Sequence, residues 1–390
     1  MKRLLHIVLG ILLLTGCDGY FGNKTDLDFI DKPEFSIRDI SYVPIQPALT
    51  SFVRPTDITT GYDELLYVVD AGSEEIISLD ESGRELGRFT VPGVHSVIQD
   101  RQFDLLAIGT KTDTISGIAF DLTCIYRIDL HGSTGYGIRH AHITNEIVHP
   151  FYYKSTFSGT DADVVFNHIG LLQNNGYYVS RNGPGSNPFS GPDDAILLFN
   201  AQDKFITPVA VSSNGALYRD YFKKPFGITT QVQPPQLFAR GNNDFFYTSI
   251  SPDGVIKSQY IQYVETEFGA TYEPRIMTQD TSEADGFLTY PYRFDEPAGL
   301  TMAGDGTNHV FISDRVKDSV YLFSLNGYEG VKPPPGYSSS KYIVVSFGGK
   351  GQGLSNFNEP MGLAYKNKIL YVADAGNGRV LRFKLTSDFD

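Results

Sequence analysis

The stretch Phe357–Leu385, FNEPMGLAYKNKILYVADAGNGRVLRFKL, constrains the fold of this 390-residue chain more than any other. It holds a Pro-x-Gly-Leu opening, a polar turn at Lys366–Lys368, the run ILYVAD, a Gly/Asn turn and a second run, RVLRFKL. Short runs of Val, Ile, Leu, Tyr and Phe bounded by Gly and Asn read as β-strands. If such a unit recurs, the architecture is a stack or ring of small sheets.

It does recur. In Glu296–Leu325, Pro297, Gly299, Asp314 and Val320 stand where Pro360, Gly362, Asp374 and Val380 stand in the last copy. In Arg54–Asp80, Asp70-Ala71-Gly72 repeats Asp374-Ala375-Gly376, although Asp57 replaces the leading glycine. Weaker copies lie at Val94–Leu130, His168–Ala201 and Lys224–Val264. Their second strands align as LLYVVD, DLLAIG, GYYVSR, FFYTSI, HVFISD and ILYVAD, which makes six copies. The mean spacing of about 61 residues exceeds a minimal four-stranded sheet. The surplus at Lys111–Thr123, His140–Asp163, Asn182–Asp194 and Gly269–Asp295 is expected to form loops.

A solenoid needs capping units, whereas a propeller closes on itself. The sixth copy supplies only three strands, and Ile40–Phe52 supplies a fourth: YVPIQPALTSFVRPTDI parallels YIVVSFGGKGQGLSNFNEPMGL, the segment leading into that copy. The expectation is an all-β, six-bladed β-propeller over residues 36–390, closed by an N-terminal strand completing the last blade. No helix longer than two turns is expected outside the extreme N-terminus.

Residues 1–16 read as a signal peptide. Lys2 and Arg3 precede an apolar run, Leu4 to Leu14, too short to span a bilayer. The run leads into Leu14-Thr15-Gly16-Cys17, which resembles the lipobox of bacterial lipoproteins. That resemblance implies cleavage before Cys17, acylation of its thiol, palmitate included, and a lipid-anchored place in the cell envelope, at the outer membrane before the inner. Residues 17–35 then hold the lipidated Cys17 and a polar tether. Cys124 is left without a disulfide partner, so stability must come from the core. A net charge of −13 with no basic run past the start argues against nucleic acid. The absence of Trp argues against a Trp-lined sugar cleft, though Tyr platforms stay open.

Pro-x-Gly-Leu, Tyr-Val-Ala-Asp and Ala-Gly-Asn-Gly-Arg-Val together resemble the NHL repeat, and an anchored propeller of such blades is similar to lipoproteins of Bacteroidetes-type bacteria. Physically the motif is structural: the leading glycine lets backbones crowd the axis, and Asp70, Asp314 and Asp374 are expected to cap the turns that follow them. At Asp57 a carboxylate facing the channel is the expectation. Related propellers include zinc-dependent amidating lyases, which the resemblance implies would carry His between the leading Pro and Gly. Here those slots read Thr56, Ile169, Phe226, Ala298 and Met361, with His95 the one histidine near such a slot. Calcium-dependent lactonases need several converging oxygens, and only Asp57 and Asn167 offer themselves. No cofactor is therefore expected, calcium being the one ion with any candidate donors. His140 and His142 read as alternate residues of an outer strand, with His149 seven residues on, in a solvated setting.

Connections between second and third strands share a face with those between blades. Lys111–Thr123, Asn182–Asp194 and part of Gly269–Asp295 should gather there, with Val331–Tyr337 on the opposite face. Long loops on a rigid scaffold carry binding residues. Arg181 and Asn182 would flank that surface, Arg181 either as a planar cationic donor or in a structural ion pair. The functional expectation is a monomeric, membrane-anchored, non-catalytic binding propeller for a protein or glycan partner. A metal-dependent hydrolase or lyase with a divergent site is the alternative, and a purely structural envelope component the third reading.

Overall fold

The computed structural model describes residues 40–149, 159–184, 193–235 and 243–389, apart from 268. The signal segment, Cys17 and the tether lie outside the described residues, as does most of the Asn182–Asp194 stretch.

Six antiparallel sheets follow the six copies. Blade 1 is Pro55–Thr60, Leu66–Asp70, Glu75–Leu79 and Glu85–Thr90, in spatial order from inner to outer strand. Blade 2 is Ser96–Gln99, Leu105–Ile115, Ile118–Asp129 and His142–Val148. Blade 3 is Val165–Leu171, Tyr177–Asn182, Ala195–Phe199 and Phe205–Pro208. Blade 4 is Pro225–Thr230, Phe245–Ser249, Ser258–Thr266 and Gly269–Pro274. Its outer edge is extended by a hairpin, Val211–Ser213 with Ala216–Tyr218, through a parallel pairing of Val211 with Tyr272. Blade 5 is Pro297–Met302, Val310–Asp314, Ser319–Phe323 and the short Phe347–Gly348.

Blade 6 takes Pro360–Lys366, Ile369–Asp374 and Arg379–Leu385 from one end of the propeller sequence and Tyr42–Leu49 from the other. Tyr42 stands opposite Leu385 and Leu49 opposite Val380, so the expected closing strand is present in the expected place. The only helices among the described residues are 3-10 turns of three to five residues.

Second strands are buried on both faces, every residue of Leu66–Asp70, Phe245–Ser249 and Val310–Asp314 being enclosed. One face packs on the preceding blade and the other on the following one, which explains runs such as LYVVD that do not alternate. Apolar clusters accordingly straddle blade boundaries: Phe311, Leu322, Leu363, Val372 and Phe383 join blades 5 and 6.

Three loop expectations are corrected, one of them by His142–Val148, the outer strand of blade 2, which occupies the start of His140–Asp163. Lys111–Thr123 is a long hairpin whose register runs unbroken to Ile115 opposite Ile118. Its turn is Ser116-Gly117, at φ 53° and 84°, the left-handed pair that a two-residue hairpin turn needs. The many Thr and Asp residues here are strand residues on a solvated ribbon. Gly269–Pro274 likewise is the outer strand of blade 4, not the start of a loop.

Candidate functional site

The slot positions read from the sequence lie where inner strands begin, and the cross-strand hydrogen bonds define them. Gly299 N donates to Ser313 Oγ at 2.8 Å, Gly227 N to Thr248 Oγ1 at 2.9 Å and His168 N to Ser180 Oγ at 3.0 Å. His168 therefore occupies the leading-glycine position of blade 3, and Asn167 the slot before it. This corrects the assignment of that slot to Ile169 by two residues. The slot residues become Thr56, His95, Asn167, Phe226, Ala298 and Met361, and the next ring reads Asp57, Ser96, His168, Gly227, Gly299 and Gly362.

Half of this second ring is glycine for a geometric reason. A Cβ on Gly299 would lie 1.9 Å from the Met361 carbonyl oxygen, and one on Gly362 2.5 Å from Asp57 Cα. Blades 4, 5 and 6 thus meet their successors backbone to backbone. Hydroxyls complete two of the junctions, Ser313 donating to Met361 O at 2.7 Å and Ser180 to Phe226 O at 2.5 Å. Sequence reasoning missed this relay, whose only sign is a Ser or Thr at the end of a second strand.

Blades 1 to 3 join through side chains instead. Asp57 is buried, its Oδ1 accepting from Ile58 N at 2.9 Å and its Oδ2 from Val97 N at 3.0 Å. Burial pushes its pKa up to about 6, against the hydrogen bonds from Val97, Ser96 and Ile58. The expected channel-facing carboxylate is thus turned into the contact between blades 1 and 2. His95 faces carbonyl oxygens from both ring nitrogens, Gly93 O at 3.1 Å and Phe166 O at 2.7 Å, and ties blade 2 to blade 3. Burial holds the His168 imidazole down at about 3.

Arg181 is 4% exposed, its guanidinium donating to Gly183 O at 3.1 Å and Pro184 O at 2.8 Å. It folds under its own loop and is not an exposed cationic donor. The Asn182 amide, with its oxygen towards Asn167 Nδ2 at 3.0 Å, donates to Pro225 O at 2.9 Å, a link between blades 3 and 4. Asp57, His95, Arg181 and Asn182 are therefore all engaged with backbone groups at or near blade junctions.

The outer histidines do not form a pair. His140 closes a 3-10 turn, Ile138–His140, whereas His142 starts the strand after it. His149 is buried beyond the strand end, its Nε2 3.2 Å from Asp161 Oδ1, so it is not solvated as expected. Among the described residues no group of three or more His, Cys, Asp or Glu side chains is arranged to hold a metal ion.

At Asp70 and Asp314 the expected turn caps are present and do more than cap, whereas Asp374 makes no backbone cap and meets its turn through Asn377 Nδ2 at 2.8 Å. Asp70 accepts from Gly72 N at 3.2 Å, and also from Val53 N at 2.8 Å and Arg54 N at 2.7 Å in the arriving connection. Asp314 holds Asp295 N and Glu296 N in the same way, at 2.6 and 3.2 Å, and Asp374 holds Asn358 N at 2.7 Å. Each carboxylate fixes the path by which the chain enters its blade.

Two cavities open on the face carrying the turns between first and second strands. One of about 270 Å³ lies among blades 1, 4 and 6, lined by Tyr62, Pro234, Pro235 and Lys366. Another of about 320 Å³ lies between blades 5 and 6. Val331, Lys332 and Pro334 line the latter, which puts Val331–Tyr337 on the face expected for it.

No protein-family model matches the sequence, and no curated protein matches it. Solved structures match in shape. The PQQ-bound aldose sugar dehydrogenase of Streptomyces coelicolor superposes with a TM-score of 0.51 at 12% identity, over 89% of this chain and 98% of that one. An auxiliary nutrient binding protein from Bacteroides ovatus gives 0.47 at 14%, over 89% and 77%. A gluconolactonase from Xanthomonas campestris gives 0.47 at 10%, over 90% and 99%. At such identities the likeness is one of fold, and the chain is a six-bladed β-propeller.

Proposed function

We propose that this chain is a membrane-anchored, non-catalytic binding propeller of the bacterial envelope, which docks a protein partner on the face carrying the connections between blades. The observation that carries the reading is an exposed aliphatic and aromatic patch on blades 4 and 5. Tyr292, 70% exposed, is hydrogen-bonded to Val255, and Val255, its neighbour Ile256 and Val316 of the adjoining blade 5 turn are exposed too. Tyr292 has φ 58°, a costly conformation for a bulky aromatic residue. It is held there by its own N–H to Val255 O at 2.9 Å and by Lys317 Nζ on its carbonyl at 3.3 Å. A patch of Val, Ile and Tyr so presented suits the apolar centre of a protein interface better than a sugar. The anchor in this reading is the lipid on Cys17.

The test is co-purification from envelope membranes with the full-length chain. A stoichiometric protein partner is expected, lost on Val255→Asp with Val316→Asp while the melting temperature holds. Capture that survives both changes, or tight stoichiometric zinc or calcium accompanied by hydrolytic or lyase activity, would overturn the reading. Cys17→Ser is expected to release the chain from the membrane fraction.

A further inference from the structure

The cavity between blades 5 and 6 has features of a built site and lies away from the docking patch. Five segments wall it: the start of the closing strand, the first turn of blade 5, the Val331–Pro334 excursion, the first turn of blade 6, and Leu385–Asp388. At about 320 Å³ it falls at the lower end of small-molecule pockets.

Its polar groups are held in place from behind. The Tyr42 ring stacks on Phe347 at 5.6 Å and meets Phe311 edge-on at 6.1 Å, and the Tyr365 ring stacks on the other side of that cluster, 5.1 Å from Phe311. Both rings are buried, so their hydroxyls are fixed. Tyr365 spends its hydroxyl on Asp305 Oδ2 at 3.2 Å. The Tyr42 hydroxyl and the His309 ring nitrogens have no hydrogen-bond partner in the protein among the described residues, and neither is sealed from solvent. Burial lowers the His309 pKa, so at neutral pH the ring offers one donor and one acceptor.

The charges at the wall cancel. Asp305 and Asp388 are balanced by Lys332 and Lys368, Lys368 lying 3.0 Å from Asp388. A cation would meet the lysines and an anion the aspartates. The remaining wall is Ile40, Val331 and Leu385, which suits C–H bonds. Paired donor-acceptor groups, no net charge and an apolar wall are what a ligand requires when each of its hydroxyls both donates and accepts.

We propose that this cavity binds a small, neutral, polyhydroxylated molecule of monosaccharide size, with Tyr42, His309 and Asp305 as its polar contacts. Fixed hydroxyls lower the ordering cost of such binding.

The test is calorimetric and ligand-observed NMR titration of the full-length chain with D-glucose, D-galactose and D-mannose, and with glucosamine and glucuronate as cationic and anionic counterparts. At least one neutral hexose is expected to bind in the millimolar range or tighter, ahead of its charged counterparts. Tyr42→Phe, which keeps the ring and removes the hydroxyl, is expected to weaken binding about tenfold, one hydrogen bond's worth. Asp305→Asn, on an exposed turn, should do likewise and keeps the test open should Tyr42→Phe fail to fold. Failure of every neutral hexose to bind, preference for a charged derivative, or unchanged binding in both variants would overturn the proposal. None of these outcomes bears on the protein partner, because the patch is on the opposite face.

Discussion

Replacing Arg127 by Met tests how the lower-numbered blades are locked together. The Arg127 guanidinium holds Asp100 at 2.6 Å and Asp104 at 3.1 Å from its own blade 2, and grips Asp203 of blade 3 bidentately at 2.9 and 2.7 Å. Its side chain is 10% exposed, that of Asp100 fully buried. Met keeps much of the stem volume and leaves three carboxylates without their cation. Four charge-assisted contacts at about 1.5–3 kcal/mol each would sum to more than the variant loses, because the desolvation Arg127 now bears is also removed. The expected cost is about 3–5 kcal/mol, the range for breaking a buried pair on one side.

The pH dependence separates this account from lost packing. Burial already holds Asp104 above its ordinary value, against Arg127. At Asp203 burial also works upward, but the hydrogen bonds from Arg127 and Asn145 outweigh it and hold the carboxyl low. Without the cation both rise, so acid neutralises the repelling cluster in the folded variant before it does so in the unfolded chain. The gap between parent and variant should therefore be widest near neutral pH and narrow towards about pH 5. Urea unfolding read by far-UV circular dichroism or Tyr fluorescence measures it, there being no Trp. A gap under about 1 kcal/mol at neutral pH, the worth of a surface pair, or one that widens in acid, would refute the reasoning.

Gly299→Ala should cost at least about 1–3 kcal/mol by overpacking, since the new Cβ meets the Met361 carbonyl oxygen, which is backbone and cannot rotate away; a neutral substitution in the same unfolding assay would contradict the blade-to-blade contact. Burial, with the Arg181 charge adding to it, lowers His149 to about 4, so the folded ring stays neutral while the unfolded one takes a proton. Stability from this group is full above about pH 6.5 and is lost as pH falls towards 4, on the order of 2 kcal/mol between pH 7 and 5; Asp57, shifted upward, works the other way between about 3.8 and 6, so the comparison to make is the acid slope of His149→Gln, which should be flatter than that of the parent. Burial pushes the Cys124 thiol up to about 12; in a Cys17→Ser chain no thiol should react with a disulfide reagent until denaturant is added, and prompt reaction would place Cys124 outside the core.

The blade count and the closing strand were legible because they rest on second strands buried on both faces and on turn carboxylates, features written in contiguous residues. Blade 3 was misread by two residues for an equally physical reason. His168-Ile169-Gly170-Leu171 imitates Pro-x-Gly-Leu, and a slip of two keeps every side chain on its face of the sheet, so the alternation cannot expose the error. Only the hydrogen bond from His168 N to Ser180 Oγ, between residues on different strands, fixes the register. Whether Arg181 is a cationic donor or part of an ion pair stays open in the sequence because nothing local announces that Gly183 and Pro184 turn back to cover its guanidinium. The cavity between blades 5 and 6 draws on segments as far apart as Tyr42 and Asp388, and no window of sequence contains it.

The strand Tyr42–Leu49 leaves the ribosome long before its partner Arg379–Leu385 exists, the two being joined at their edge by Ser41 N to Thr386 Oγ1 across 345 residues. Throughout synthesis, the first-made strand must wait unpaired while five blades form. An unpaired strand is a template for wrong partners. Its two prolines, Pro44 and Pro47, each remove a backbone donor, which makes it a poor template for any partner but the one that arrives last. Ring closure, and with it the cavity wall that Tyr42 supplies, thus becomes a late checkpoint on whether all six blades have been made.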